Sequence, residues 1–190
     1  LGFMGSIRSS AICETLEVAH ARESAKNLVA AEDIEGEILG IFPDLIGSQL
    51  NKINTRKIEE YTKGVYHVED ARVYKTIDRK LVVEIRERQP IIRLIDQKGI
   101  SAYIDTKGSL LPVSVGPPQR LPVVSGAFSL NPDWIQKRVN VRDSICDPIL
   151  ADIEAYSKAL IQSDFWVAQL QHTVLSPQGD FIAHPQVGNH

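Results

Sequence analysis

A chain of 190 residues, 43% hydrophobic and 24% charged, has room for one large folded domain or two small ones and lacks the polar composition of a disordered segment. Its net charge of −3 and evenly scattered Lys and Arg offer no basic stripe to phosphates, which sets nucleic-acid binding aside. Cys13 and Cys146 match no zinc or redox spacing and read as two separate buried thiols, with a single disulfide left open.

The opening Leu1-Gly-Phe-Met-Gly is apolar but far shorter than the roughly 20 residues that cross a bilayer. It reads either as the tail of a membrane anchor or as a cloning remnant. Residues 12–20 place Leu16 and Val18 two apart among polar neighbours, the period of a half-buried strand. From Ala31 to Phe42, Ile34, Ile38, Ile41 and Phe42 recur at helical spacing behind an acidic first turn of Glu32, Asp33 and Glu35, and Pro43 ends the helix. A loop follows around Gly47. Asn54 is then the expected N-cap of a second helix that buries Ile58 and Tyr61 and stops at Gly64.

Residues 68–88 read as two strands. Ala71, Val73 and Ile77 share one parity, as do Leu81, Val83 and Ile85, against the charged or polar Asp70, Arg72, Tyr74, Glu84, Arg86 and Arg88. "TIDRK" supplies the reversal, with Arg79 where positive φ would suit a glycine. Pro90 is expected to end the second strand or to mark an edge, and a domain boundary is placed there.

After Pro90 the pattern becomes strands between turns: "IIRLID", Gly99, "SAYID", the "TKG" turn, "SLLPV", a Pro/Gly-rich bend at 116–122, and "PVVSG". One helix interrupts them, with Asp147 as N-cap, Pro148 at N1, and Ile149, Ile153, Tyr156 and Leu160 on one face. "WVAQLQHTVL" alternates as a strand with Ala168, Leu170, His172 and Val174 on one parity; "SPQGD" turns it and "FIAH" begins a partner. That last strand has no successor here and would leave an open sheet edge.

His20, His67, His172, His184 and His190 are scattered without metal-ligand spacing, so no metal and no cofactor is expected. There is no nucleophile-elbow, phosphate-loop or dinucleotide motif, and no serine has a recognisable base beside it, so no catalytic residue is assigned. The acidic run Glu32–Glu37 reads as a solvated helix face.

The order strand, two helices, two strands is that of a POTRA domain. "INTRKIEEY", "VEDARVYKTIDRKLVVEIRERQPIIRL", "YIDTKGSLLPVS", "RLPVVSG" and "VGNH" together resemble the bacterial cell-division family FtsQ/DivIB, in its Bacteroidetes-like forms. The resemblance runs from about Cys13 to the last residue. It departs at Arg79, where the family often has glycine. The family's chain also continues past "VGNH" with the strands that receive the partner FtsB, so that edge has no counterpart in this sequence.

The resemblance implies an α+β chain: a POTRA domain over residues 12–90, then a mostly antiparallel β-domain with one packed helix over residues 91–190. It further implies a non-catalytic scaffold anchored in the inner membrane by one N-terminal helix, with this region in the periplasm and FtsB-like and FtsL-like proteins as partners. In a POTRA arrangement the strand from Val68 to Thr76 lies at the sheet margin, where its free backbone groups can take on a partner's strand. Asp70, Arg72, Val73, Tyr74 and Lys75 are therefore the candidate binding residues, Lys75 serving equally well as a guard charge. A periplasmic module of an outer-membrane assembly or secretion system is the first alternative, a cell-wall enzyme the second.

Overall fold

The computed structural model describes residues 11–21, 30–113 and 121–185. It divides into two units, Leu1–Glu87 and Arg88–His190. Part of the expected bend at 116–122 and all of His190 lie outside the described residues.

Unit 1 holds β1 (Thr15–His20), α1 (Ala31–Ile41), a 3-10 turn (Leu50–Lys52), α2 (Thr55–Gly64), β2 (Val68–Lys75) and β3 (Lys80–Glu87). β3 is central, parallel to β1 and antiparallel to β2. The period-two pattern works as expected: Leu16, Val18, Ala71, Val73, Leu81, Val83 and Ile85 line one face and pack on Ile34, Ile38 and Ile58 of the helices. Burying one such aliphatic side chain contributes about 1.5–3 kcal/mol. Asn54 does cap α2, its side-chain oxygen accepting the Lys57 N–H at 3.2 Å.

Two local expectations of the hairpin resolve differently. Arg79 adopts φ 64°, the left-handed conformation that the turn demands, and its guanidinium pairs with Glu14 at 2.7 Å. Ile77 does not join the core face. It stands in the turn, 95% exposed, because β2 ends at Lys75 and the alternation stops with it. Pro90 neither ends β3 nor closes a sheet: β3 stops at Glu87 and Pro90 opens the next strand, a position where its missing N–H is tolerated.

Unit 2 contains β4 (Pro90–Asp96), β5 (Ser101–Asp105), β6 (Leu110–Pro112), β7 (Val123–Gly126), α3 (Pro132–Gln136), α4 (Ile149–Leu160), α5 (Asp164–Gln169), β8 (His172–Leu175) and β9 (Phe181–His184). The sheet order is β6-β5-β4-β7-β8-β9, antiparallel at three pairings and parallel at β4–β7 and β7–β8. Two buried carboxylates tie its first hairpins. Asp96 accepts the N–H groups of Lys98, Ile100 and Leu130, and Asp105 accepts those of Lys107 and Ser109 while pairing with Arg88 at 2.8 Å. A buried carboxylate is tolerated only when its lone pairs are filled in this way.

α4 begins one residue later than expected, at Ile149 with Pro148 rather than Asp147 in the N-cap position, although Asp147 still accepts the Ile149 N–H at 3.2 Å; Leu150, Ile153 and Leu160 are buried. Its buried Glu154 is held between Arg142 at 2.8 Å and Lys158 at 2.6 Å. Two short helices are additions to the expected element order. α3 is capped by Asn131, which accepts the Asp133 N–H at 2.9 Å ahead of Pro132. α5 replaces most of the strand expected over "WVAQLQHTVL". Only His172–Leu175 is extended, and the residues facing the core there are Thr173 and Leu175 rather than His172 and Val174. Cys13 and Cys146 are buried free thiols, one in each unit, and burial raises the pKa of both.

Gly126 lies where β7 meets β8, at φ 129°, and a Cβ there would press into the Leu175 backbone. Gly179, at φ 91° in the β8–β9 turn, has open space around it. Gly126→Ala should therefore destabilise unit 2 by about 3 kcal/mol or more, and Gly179→Ala by about 1 kcal/mol, in denaturant unfolding. Equal losses would contradict this packing of β7 on β8.

Candidate strand-addition site

The candidate site is the outer margin of β2. The Thr76 N–H donates to the Lys80 carbonyl at 2.9 Å, so the even-numbered backbone groups of this strand point toward β3. The odd-numbered groups consequently point away from the sheet. One of them is already occupied: the Val73 N–H donates to the Glu59 carboxylate of α2 at 3.1 Å. The register also shifts between Val68 and Asp70, a bulge at the start of the strand. Bulges and covering side chains are ordinary means of protecting an edge from unwanted pairing.

The five candidate residues do not share one face. Asp70, Arg72 and Tyr74 point away from the helices, opposite Arg86, Glu84 and Val82 of β3. Asp70 is engaged by Lys63 at 2.8 Å and approached by Arg86 at 3.9 Å, and the Lys63 ammonium, assisted by the Ala71 N–H, holds its carboxyl below the usual carboxylate range. Arg72 is exposed and forms no ion pair with a carboxylate among the described residues; Tyr74 is 47% exposed two positions on. Val73 is buried toward the helices and offers only its backbone. Lys75 reaches under the sheet and donates to the Ile53 carbonyl at 2.9 Å, so it ties the strand end to the start of α2.

Among the described residues of the outer face of β2, Arg72 and Tyr74 are thus the cation and ring without an ion pair, and Glu59 is the residue at this margin that the sequence did not announce. Its position on α2 reads as one more solvated acid, because nothing along the helix reveals that a strand margin passes beside it.

The remaining margins differ. Beside the start of β1, residues 11–13 are bonded to the loop at 47–50 through Cys13 N–H to the Ser48 carbonyl and Leu50 N–H to the Ala11 carbonyl, both 2.8 Å. β9 borders the sheet of unit 2, with Ile182, Ala183 and His184 exposed and Phe181 stacked on Tyr156 at 4.8 Å.

One pairing was not foreseen: the Ser125 hydroxyl lies 2.8 Å from Nε2 of His172 across β7 and β8. The pair is exposed, and among the described residues no carboxylate meets the other ring nitrogen. No group of three or more potential metal ligands occurs among the described residues.

A three-stranded sheet under two helices with one guarded margin, followed by a mixed six-stranded sheet, defines a POTRA-type module joined to a β-rich domain. Residues 11–86 match the POTRA-like domain and residues 89–190 match the domain described as FtsQ/DivIB, C-terminal related. The chain belongs to the FtsQ/DivIB family, non-enzymatic scaffolds of bacterial cell division that are membrane-anchored with a periplasmic domain. No curated protein matches it significantly. No described helix is long and apolar enough to cross a membrane.

Replacing Glu59 by Ala removes the acceptor of the Val73 N–H. It should cost unit 1 about 1–2 kcal/mol and accelerate hydrogen exchange at Val73. Unchanged exchange there would show that Glu59 does not cover the margin. Because the folded-state pKa of Asp70 is lowered, its contribution is present above the unfolded value of about 3.9 and is lost as pH falls through the folded one. Asp70→Asn should flatten that acid limb of the stability profile, while a limb identical to that of the unsubstituted protein would assign it elsewhere.

Proposed function

We propose that this chain is the periplasmic part of a divisome scaffold, held to the inner membrane by one N-terminal helix, which recruits FtsB-like and FtsL-like proteins by taking their strands onto its sheet margins. It acts by adhesion and catalyses no reaction. The observation that carries this reading is the margin of β2, where Arg72 and Tyr74 stand exposed, without an ion pair or ring contact among the described residues, beside outward-facing backbone groups. Main-chain hydrogen bonds would supply affinity there, and the alternating side chains of the added strand would supply choice.

Glu59 gives this margin a threshold. A partner must displace the carboxylate from Val73 before it can pair through the middle of β2, which selects against casual strand addition. Arg72 favours an acidic residue opposite it in the added strand, and Tyr74 provides an aromatic surface of the kind that anchors interfaces.

The double substitution Arg72→Glu with Tyr74→Ala touches no core contact and should reduce capture of divisome partners by the anchored full-length protein at least about tenfold in pull-down assays, with thermal unfolding unchanged. Undiminished capture of every partner would exclude the β2 margin as their site. Lys75 is better left intact in this experiment, because its bond to Ile53 makes its loss a structural change as well.

A further inference from the structure

Among the described residues of unit 1, the exposed isoleucines are gathered at one end. Because β1 and β3 are parallel, the turn between β2 and β3 falls at the end of the sheet where β1 begins; the Glu14 N–H donates there to the Arg79 carbonyl at 3.0 Å. α1 returns to the same end, and the loop that follows it is bonded to residues 11–13 through Cys13, Gly47 and Ser48. At this end stand Ile77, Ile41, Ile12 and Ile46, with exposures of 95%, 56%, 45% and 43%. Tyr66 is the large exposed apolar residue at the opposite end, where β3 leaves the unit.

The core does not require these side chains outside. A turn favours Gly, Asn, Asp or Ser, so an isoleucine projecting from one at position 77 has no local reason. The four residues come from three separate stretches of chain, and Ile41 borders a cleft of about 310 Å³ that also touches Pro43 and Lys52. Separate apolar tips meet a broad surface more readily than they fill one groove. Charge is balanced at this end: Arg79 is paired with Glu14, Lys80 with Glu17 and Asp78, and the exposed Lys52 and Asp44 beside the cleft are opposite in sign. A strongly acidic or basic macromolecule would find little to hold, whereas an apolar layer would accept the isoleucines.

We propose that this end of unit 1 rests on the bilayer surface, with Ile12, Ile41, Ile46 and Ile77 entering the interfacial layer. The inference rests on the N-terminal anchor proposed above, which would join unit 1 at this end and hold it close to lipid. Contact made in this way orients the β2 margin by fixing the end of the hairpin that carries it.

The test supplies the anchor artificially, through an N-terminal histidine tag on phosphatidylcholine vesicles containing a nickel-chelating lipid. An environment-sensitive fluorophore is attached at Ile77→Cys, Ile46→Cys or, at the opposite end, Tyr66→Cys; the unsubstituted protein, with both native thiols buried, controls for stray labelling. Tethering should shift the emission at positions 77 and 46 to the blue and make it quenchable by brominated lipid, while position 66 remains aqueous. Added phosphatidylglycerol or salt should leave the shifts unchanged.

Aqueous emission from position 77 on tethered protein would overturn the proposal. So would a blue shift that brominated lipid does not quench, which would mark residues 1–10 or a second copy as the cover, and so would equal quenching at all three positions. Because the tag provides the tether, these results do not depend on a natural span. Fractionation of cells that express the whole gene product tests the anchor separately.

Discussion

The organisation of unit 1 depends on β3 occupying the centre of a three-stranded sheet. Once β1 lies parallel on one side and β2 antiparallel on the other, each unpaired backbone group of the sheet belongs to β1 or β2. Unpaired N–H and C=O groups must be solvated, covered or bonded by another chain. The two margins meet that demand differently. The loop at 47–50 covers the residues that lead into β1, whereas a single carboxylate from α2 covers the middle of β2. A covalent or tightly packed cover would close an edge permanently; one side chain can swing aside.

The same parallel pairing sorts the unit's two ends. One end receives the start of β1, the hairpin turn and the loop after α1, while β3 leaves from the other. The membrane contact proposed for the first end and the partner site proposed along β2 therefore share no residues. Arg72 and Tyr74 lie on the sheet face, whereas the isoleucines stand at the end of the unit, on loops and on the last residue of α1. In the second unit, buried Asp96 and Asp105 use their lone pairs on turn N–H groups, which ties the first hairpins of the sheet together.

Much of this frame was legible because local and global signals agree. Ile34 and Ile38 repeat at helical spacing, Asn54 stands where α2 needs a cap, and the alternation from Leu81 to Ile85 marks the buried face. Arg79 was legible too, since only a positive φ would close that turn. Misreadings arose where period two continues beyond the strand. Ile77 keeps the parity of Val73 but lies past the end of β2, and Ala168 and Leu170 alternate with polar residues although residues 164–169 are helical. Short segments carry too few repeats to separate the two periods. The helix at Pro132 announced itself through Asn131 and Pro132 but is brief enough to pass for a turn. Within the candidate site, the edge position of β2 followed from the resemblance to a POTRA domain, whereas the Glu59 cover and the inward course of Lys75 are tertiary contacts that no local pattern encodes.

Residue-resolved hydrogen exchange of the anchored protein, with and without an FtsB-like and FtsL-like pair, bears most directly on adhesion through the sheet margin. Strand addition at β2 predicts new protection at the outward amides of Ala71 and Lys75, against little change at Val73, whose N–H already has Glu59 as acceptor, and at the paired Arg72 and Tyr74. Tight binding that leaves Ala71 and Lys75 exchanging as before would contradict the account.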